Sequence, residues 1–544
     1  MAKGYRPVRR DQPFLLPPDM REWLPAEHPV WLVIAAVGQL DTGGFHAGRR
    51  TGGAGAAGYD PDMLVTVLAW AYAHRVTSSR RIEELCRTDV AFRVICGGNL
   101  PDHATIARFR ADFAGAVAGF FAQVLALCAR LGMGRLGVIA LDGTKIAANA
   151  SVSANRTEQH LAKLAAETVA AHARTDQAED EESGPGRRGD EVPADAWSPA
   201  CREERIAAAL ASLRAEREAA EQAEADKAAE FRARMQAGQR TGPAPLSAAV
   251  ALAQDKLDRA IATQQARIDD WHARDAAARA ATGTGLDRRT QPRSAPGSYV
   301  RVRQAAAHLE QVKARVAAAQ ARAAQKKKAP GPVRNITDPD SRLMPASGGG
   351  FIQGYNAQNV VSEDGLIIAT TLTQDTGDTA WFAPMTAAAA DAAALIAAQR
   401  PAAGPGTSRG AEDEIGIILA DAGYLSEDNL TCDGPDRLIA TGKRRNLEKA
   451  AHGDTSGNGT ANAAIAAMAA RLATEPAITA YRQRGRIAET PHGYIKHDLA
   501  FRQLTQRGKR KAAAEWTFTC AITNLLKAIT SGHLTSQALA ALTR

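Results

Sequence analysis

An α/β fold is predicted, built as one mixed sheet with a helical region before it and a long helical insertion after its first strand. Three features of the 544 residues carry that prediction. Residues 137–141 and 416–420 are short, continuously apolar runs, and each stops at an aspartate closely followed by glycine (Asp142-Gly143; Asp421-Ala422-Gly423). Buried parallel strands read this way. Residues 351–361 and 366–372 alternate and are separated by Ser-Glu-Asp-Gly, the chemistry of a hairpin turn. Most of the rest is helical in spacing, and 5% aromatics in a chain that is 45% hydrophobic suit helix-rich packing better than an all-β protein.

Taken in order, residues 1–135 form a helical N-terminal domain. Asp60-Pro61 is a cap followed by proline in the first turn, with Leu64, Val67, Leu68, Ala71 and Tyr72 on one face. Ser79 opens a second short helix, Asp102 caps a third, and residues 114–131 make a longer apolar helix closed by Gly132. Residues 136–154 hold the first strand. Residues 155–334 turn into Ala, Arg, Glu, Lys and Gln, with helical stretches near 201–238, 246–281 and 299–328 divided by Gly/Pro/Ser breaks. That is the texture of helical hairpins or partial coiled coil serving as a solvated, partly disordered insertion. Residues 335–530 complete the sheet: the hairpin, a helix from Trp381 capped by Asp378, strands at 415–420 and 438–440, then helices; residues 531–544 are a tail. The order strand, hairpin, helix, strand, strand, helix matches a ribonuclease-H-like mixed sheet.

The net charge of +8 favours a polyanion partner but serves solubility equally well. Lys443, Arg444 and Arg445 are candidate phosphate contacts on charge alone. Six scattered cysteines, with no CxxC and no Cys/His cluster at zinc spacing, argue against a disulfide framework or structural zinc and fit a reducing cytoplasm. No run is read as long enough for a membrane span, 30–40 being too short, so no membrane partner is expected.

If the two apolar strands are parallel neighbours, Asp142 and Asp421 emerge at the same edge of the sheet, where open α/β sheets build their sites. Two hard oxygen donors there could hold Mg²⁺ or Mn²⁺. A lone strand-end aspartate is more often a turn or cap residue; two in matched contexts point to a site. The third acid chosen from the later helical part is Glu489. Lys496 lies seven residues on, two helical turns and one face of an unbroken helix, although Pro491 and Gly493 intervene.

These residues resemble the DDE transposases of bacterial insertion sequences, whose signature is Tyr-x2-Arg-x3-Glu-x6-Lys. The chain has Tyr481, Arg484, Glu489 and Lys496, with an Arg-to-Glu gap of five positions, one longer than the signature and off a single α-helical face. The extra residue is similar to the family typed by insertion sequence eleven-eighty-two. LDGTKIAANAS (141–151), DPDSRLM (338–344), GYNAQ (354–358) and ADAGY (420–424) reinforce the likeness, and DHATIARFR (102–110) resembles the InsH-type N-terminal domain. The resemblance implies a metal triad of Asp142, Asp421 and Glu489 with two Mg²⁺ or Mn²⁺ ions. It further implies DNA contacts at Tyr481, Arg484 and Lys496, with Arg108 and Arg110 as candidates in the N-terminal domain. The implied activity is binding of transposon ends, hydrolysis that frees 3′ hydroxyls, and joining to target DNA, by a homodimer or higher oligomer on double-stranded DNA in the bacterial cytoplasm at the nucleoid. Two rivals remain at this point: a ribonuclease-H-like nuclease without strand transfer, and a catalytically idle DNA-binding derivative. No motif gives the insertion a role.

Overall fold

A computed structural model describes residues 19–47, 58–167, 199–238, 242, 244–293, 295–326, 332–346, 349–401, 414–442 and 463–542. The chain divides into two compact units, one made of Met1–Asn155 with Asn335–Arg544 and the other of Arg156–Arg334.

Among the described residues the strands are β1 (Val138–Ala147), β2 (Asn155–Thr157), β3 (Val333–Asn335), β4 (Arg342–Pro345), β5 (Phe351–Val361), β6 (Ile367–Thr373), β7 (Ile417–Ala420) and β8 (Asp436–Ile439). Six form one mixed sheet. β5 lies antiparallel to β1, β4 and β6 pair antiparallel with the far side of β5, β7 runs parallel to β1, and β8 parallel to β7. β2 and β3 pair with each other outside it, where the chain leaves for the second unit and returns.

The first strand does not stop at Asp142, as its apolar run had implied. Its parallel pairing with β7 ends at Ala140↔Leu419, but its antiparallel pairing with β5 continues through Asp142↔Asn359 to Ala147↔Gly354. Asp142 therefore sits in mid-strand, beyond the end of β7, anchored by a backbone ladder on one side. β5 supplies that anchor because it is buried almost throughout. At Gly354 a Cβ would overlap the Ile146 carbonyl, a backbone atom that cannot swing away. We expect Gly354→Ala to cost about 1–3 kcal/mol in urea unfolding; a loss under about 0.5 kcal/mol would mean that the strand pair gives way easily.

One continuous apolar core runs from Val30 to Leu539. The helix Lys509–Thr530 packs on Val117–Arg130, Pro61–Ala73 and β6, so the helices of 1–135 share the core of the sheet. The caps at Asp60, Asp89 and Asp102 are made as their residue types dictate, each carboxylate accepting a backbone N–H of the first turn.

Two sequence expectations are corrected here. Thr379–Gln399 is long and apolar enough to cross a membrane by length and composition; its alanine-rich sequence hid it beside the more obvious 30–40 run. Phe382, Met385, Ala389, Ala392 and Ile396 on this helix belong to the core, against the sheet and Val117–Arg130. Residues 531–544, expected as a tail, include a helix, Ser536–Leu542, whose Leu539 is buried and which touches Pro29–Val37.

The second unit is built on three long helices, Pro199–Gln236, Leu246–Thr282 and Val300–Lys326. The last two pack through Ala249, Ala253, Leu309 and Val312. Such small apolar contacts are what an alanine-rich, charged sequence can offer.

Candidate active site

Three carboxylates from distant parts of the chain gather around one guanidinium. Asp142 comes from the middle of β1. Asp421 follows the last residue of β7, where its Oδ1 accepts the Gly423 N–H at 2.9 Å and caps a short turn. Glu489 comes from the helical stretch after Arg484. The Arg484 guanidinium lies 2.8 Å from Asp142 Oδ1, 3.6 Å from Asp421 Oδ2 and 3.9 Å from Glu489 Oε1. Side-chain exposure rises from 14% at Asp142 through 43% at Asp421 to 70% at Glu489, so the site opens outward from the sheet toward Glu489.

The off-face spacing of Arg484 and Glu489 is resolved by the backbone. Glu475–Arg484 is α-helical, but Gly485–Glu489 is a π-helical turn. A π turn closes i→i+5 hydrogen bonds and carries one extra residue; it brings residue i+5 back over residue i. The inserted residue is absorbed locally, and arginine and glutamate share a face after all. The helix also continues through Thr490–Gly493 into a second π turn, Tyr494–Asp498. Pro491 falls inside this continuous helix, two residues after the first π turn.

The charges are mutually adjusted. Burial pushes the Asp142 carboxyl upward, but the hydrogen bond from His492 and the positive charge of Arg484 outweigh it and hold the group below its ordinary value. Asp421 moves the other way: burial raises it, repulsion from Asp142 and Asp378 adds to that, and Arg484 only partly opposes. Two carboxylates that share a site are pushed apart in this way.

The remaining predicted residues separate into groups. Lys496 is half-buried and donates to Thr144 Oγ1 and to the Lys145 carbonyl, the latter at 3.0 Å; burial pulls its ammonium down while Asp142 opposes. Tyr481 donates its hydroxyl to the Ala420 carbonyl at 3.1 Å, immediately before Asp421. Arg108 is exposed on its helix. Arg110, expected as a DNA contact, is not available for one. It is buried and bonded to Glu515, Tyr72 and the Thr77 carbonyl, because its helix turns that face into the core. Lys443, Arg444 and Arg445 lie outside the described residues.

Two residues at the site escaped sequence reasoning. Asp378, read as a helix cap, makes no side-chain cap bond. Its Oδ1 instead accepts from Asn356 Nδ2 and Gln358 Nε2, both at 2.7 Å, with Lys145 Nζ at 3.4 Å. A Cβ on Gly143 would stand 2.6 Å from Asp378 Oδ1 and from Gln358 Nε2, so glycine after Asp142 is what lets this fourth acid approach. The other is His492, buried beside Asp142 with Nδ1 3.5 Å from Oδ2; an isolated histidine in a mixed-charge segment carries no signal. The short motifs knit the surroundings together: Tyr424 of ADAGY donates to Gln358 of GYNAQ, and Tyr355 of GYNAQ donates to the buried Asp338 of DPDSRLM at 2.9 Å. Asp338 also accepts from Gly508 N at 3.1 Å, so that motif anchors the start of the helix Lys509–Thr530.

A hard divalent cation fits this donor set by chemistry, since every donor is a carboxylate oxygen. Among these acids the positive charge comes from Arg484, 2.8 Å from Asp142 and 3.6 Å from Asp421. Among the described residues, three ligand atoms already within 4.8 Å of one another occur at His46, Asp60 and Asp62, an exposed group in the N-terminal helices.

Comparison with known families gives two matches. Residues 18–112 match the model described as Transposase domain (DUF772), and residues 448–529 match the Transposase DDE domain. The second spans Tyr481, Arg484, Glu489, His492 and Lys496. Together the two matches support an insertion-sequence DDE transposase. No curated protein and no solved structure matches the transposase over its length or part of it. The matches do not reach Asp142 or Asp421, and they do not distinguish types of insertion sequence.

Proposed function

We propose that this transposase binds the ends of its element, hydrolyses phosphodiester bonds there to free 3′ hydroxyls, and joins those hydroxyls to target DNA, through Asp142, Asp421 and Glu489. The reading rests on one observation: three carboxylates from three separate stretches of the chain meet around a single cationic group, at the carboxyl end of β7. The strand order of the sheet, with antiparallel β5 on one side of β1, flanked in turn by β4 and β6, and parallel β7 and β8 on the other side, supports a ribonuclease-H-like catalytic domain. Asp142, Asp421 and Glu489 would hold two Mg²⁺ or Mn²⁺ ions, which supply Lewis-acid stabilisation of the scissile phosphate and lower the pKa of an attacking hydroxyl. The protein's part is to fix the acids: Asp142 through the β1–β5 ladder, Asp421 through its capping bond to Gly423, Glu489 through the π turn. Lys496, held beside β1, gives the flanking phosphate a positive partner, and Lys443, Arg444 and Arg445 extend the electrostatic track along double-stranded DNA. Arg484, which balances the acids here, would be free to meet a phosphate if cations took its place among them. The lengthened Arg-to-Glu gap and the π turn that absorbs it favour the type named for insertion sequence eleven-eighty-two, working as a homodimer or higher oligomer on DNA.

The test is a duplex carrying the element's end, incubated with the full chain, Mg²⁺ and a supercoiled target plasmid. We expect nicks that leave 3′ hydroxyls, followed by joint products in the plasmid. Nicks without joints would establish a nuclease only; end binding with neither would mark a catalytically idle binder.

A further inference from the structure

His492 is given no role by the transposase signature, yet it is buried against Asp142 and linked to the far side of the core. Its Nδ1 lies 3.5 Å from Asp142 Oδ2, and its Nε2 lies 3.1 Å from Asn359 Nδ2. Asn359 is the register partner of Asp142 across the β1–β5 ladder. The orientation of the Asn359 amide follows from its other neighbours. Trp516 Nε1 can only donate, and it donates to Thr370 Oγ1 at 2.9 Å. That leaves the Thr370 hydroxyl hydrogen for Asn359 Oδ1, 2.6 Å away, and Trp516 Nε1 also faces the same oxygen at 3.4 Å. The amide oxygen therefore points to Trp516, and the amide nitrogen points to His492. Facing an N–H, His492 Nε2 must accept, which leaves the ring proton on Nδ1, toward Asp142.

We infer that His492 is a positioning residue for Asp142, locked in its Nδ1-protonated form by Asn359, so that Asp142 gives one oxygen to the ring and turns the other toward the cation. The division of the carboxylate is visible: Oδ2 faces His492 while Oδ1 faces Arg484. Partners of this kind behind a metal-binding side chain fix its direction and raise its affinity, and their loss costs about 10–100-fold in metal binding or activity. The inference rests on the proposed metal site.

The experiment uses the full chain with Mn²⁺ alone, its dissociation constant read by electron paramagnetic resonance, and ¹⁵N-histidine spectra assigned by the signal missing in His492→Phe. We expect the Nδ1-protonated pattern in the wild type and Mn²⁺ binding about 10–100-fold weaker in His492→Phe. His492→Asn, which keeps an N–H at the δ position, should recover part of that loss. Asn359→Leu, which removes the donor that fixes Nε2 as an acceptor and leaves the ring in place, should loosen the ring and weaken Mn²⁺ binding; it serves if His492→Phe fails to fold. An Nε2-protonated ring in the wild type, or Mn²⁺ binding within about twofold of wild type in the soluble variants, would overturn the inference. Asp142→Asn is the control: if it too leaves Mn²⁺ binding unchanged, the metal site itself is wrong.

Discussion

Asp142→Asn is expected to reduce cleavage and joining at least about a thousandfold, ~4 kcal/mol of transition-state stabilisation, while end-DNA binding stays within about twofold. The substitution keeps the size of the side chain and its place on β1, so the ladder to β5 and the core behind it persist. It removes the negative charge that lies 2.8 Å from Arg484, and with it the most deeply set of the three acids. Binding survives because phosphate contacts come from cationic groups, not from the triad. A strand-nicking assay and a gel-shift titration at one salt concentration, on the same preparation, separate the two effects. Near-wild-type nicking in Mg²⁺ would dismiss Asp142 as a ligand and turn attention to Asp378, the neighbouring carboxylate held by Asn356 and Gln358.

What the sequence reveals of this site follows from how local each cause is. Asp421 was legible because a buried strand that ends at an aspartate is a short-range pattern, and β7 does end there. Asp142 was legible through the same pattern, although β1 runs five residues past it: an apolar run reports burial on both faces, not the length of the ladder. The π turn at Gly485–Glu489 left only an indirect trace, an extra residue in a spacing, because hydropathy cannot tell five residues per closed turn from a mis-set helix. Asp378 and His492 were illegible. Their partners lie on other elements, Asn356 and Gln358 on β5 for one, Asp142 and Asn359 for the other. The long insertion was recognisable from composition alone, and its helices formed where alanine and mixed charge predicted them.

Arg110 shows the opposite failure, a residue whose local context points to DNA and whose distant partner decides otherwise; Arg110→Met is expected to destabilise the fold by about 3–5 kcal/mol. The Arg110 and Glu515 side chains are 3% and 2% exposed and 2.6 Å apart. Removing one member of a buried ion pair leaves the other charged and unpaired, which costs far more than the pair contributes over an apolar replacement. Glu515 carries the heavier load. Beyond Arg110 it accepts from Tyr72 Oη at 2.9 Å, from Thr505 N at 2.8 Å and from Gln506 N at 2.9 Å. Glu515→Leu therefore orphans two backbone N–H groups as well as the guanidinium, and each unsatisfied buried group adds about 1–3 kcal/mol. The order of severity is thus Glu515→Leu worse than Arg110→Met, and the double variant does not return to wild type, because the Thr505 and Gln506 amides stay unpaired. Urea unfolding followed by tryptophan fluorescence measures all three. If Arg110→Met instead unfolds within about 1 kcal/mol of wild type and flattens the salt dependence of end binding by about one unit, Arg110 is a phosphate contact and its buried place in the core is not the one it holds on DNA.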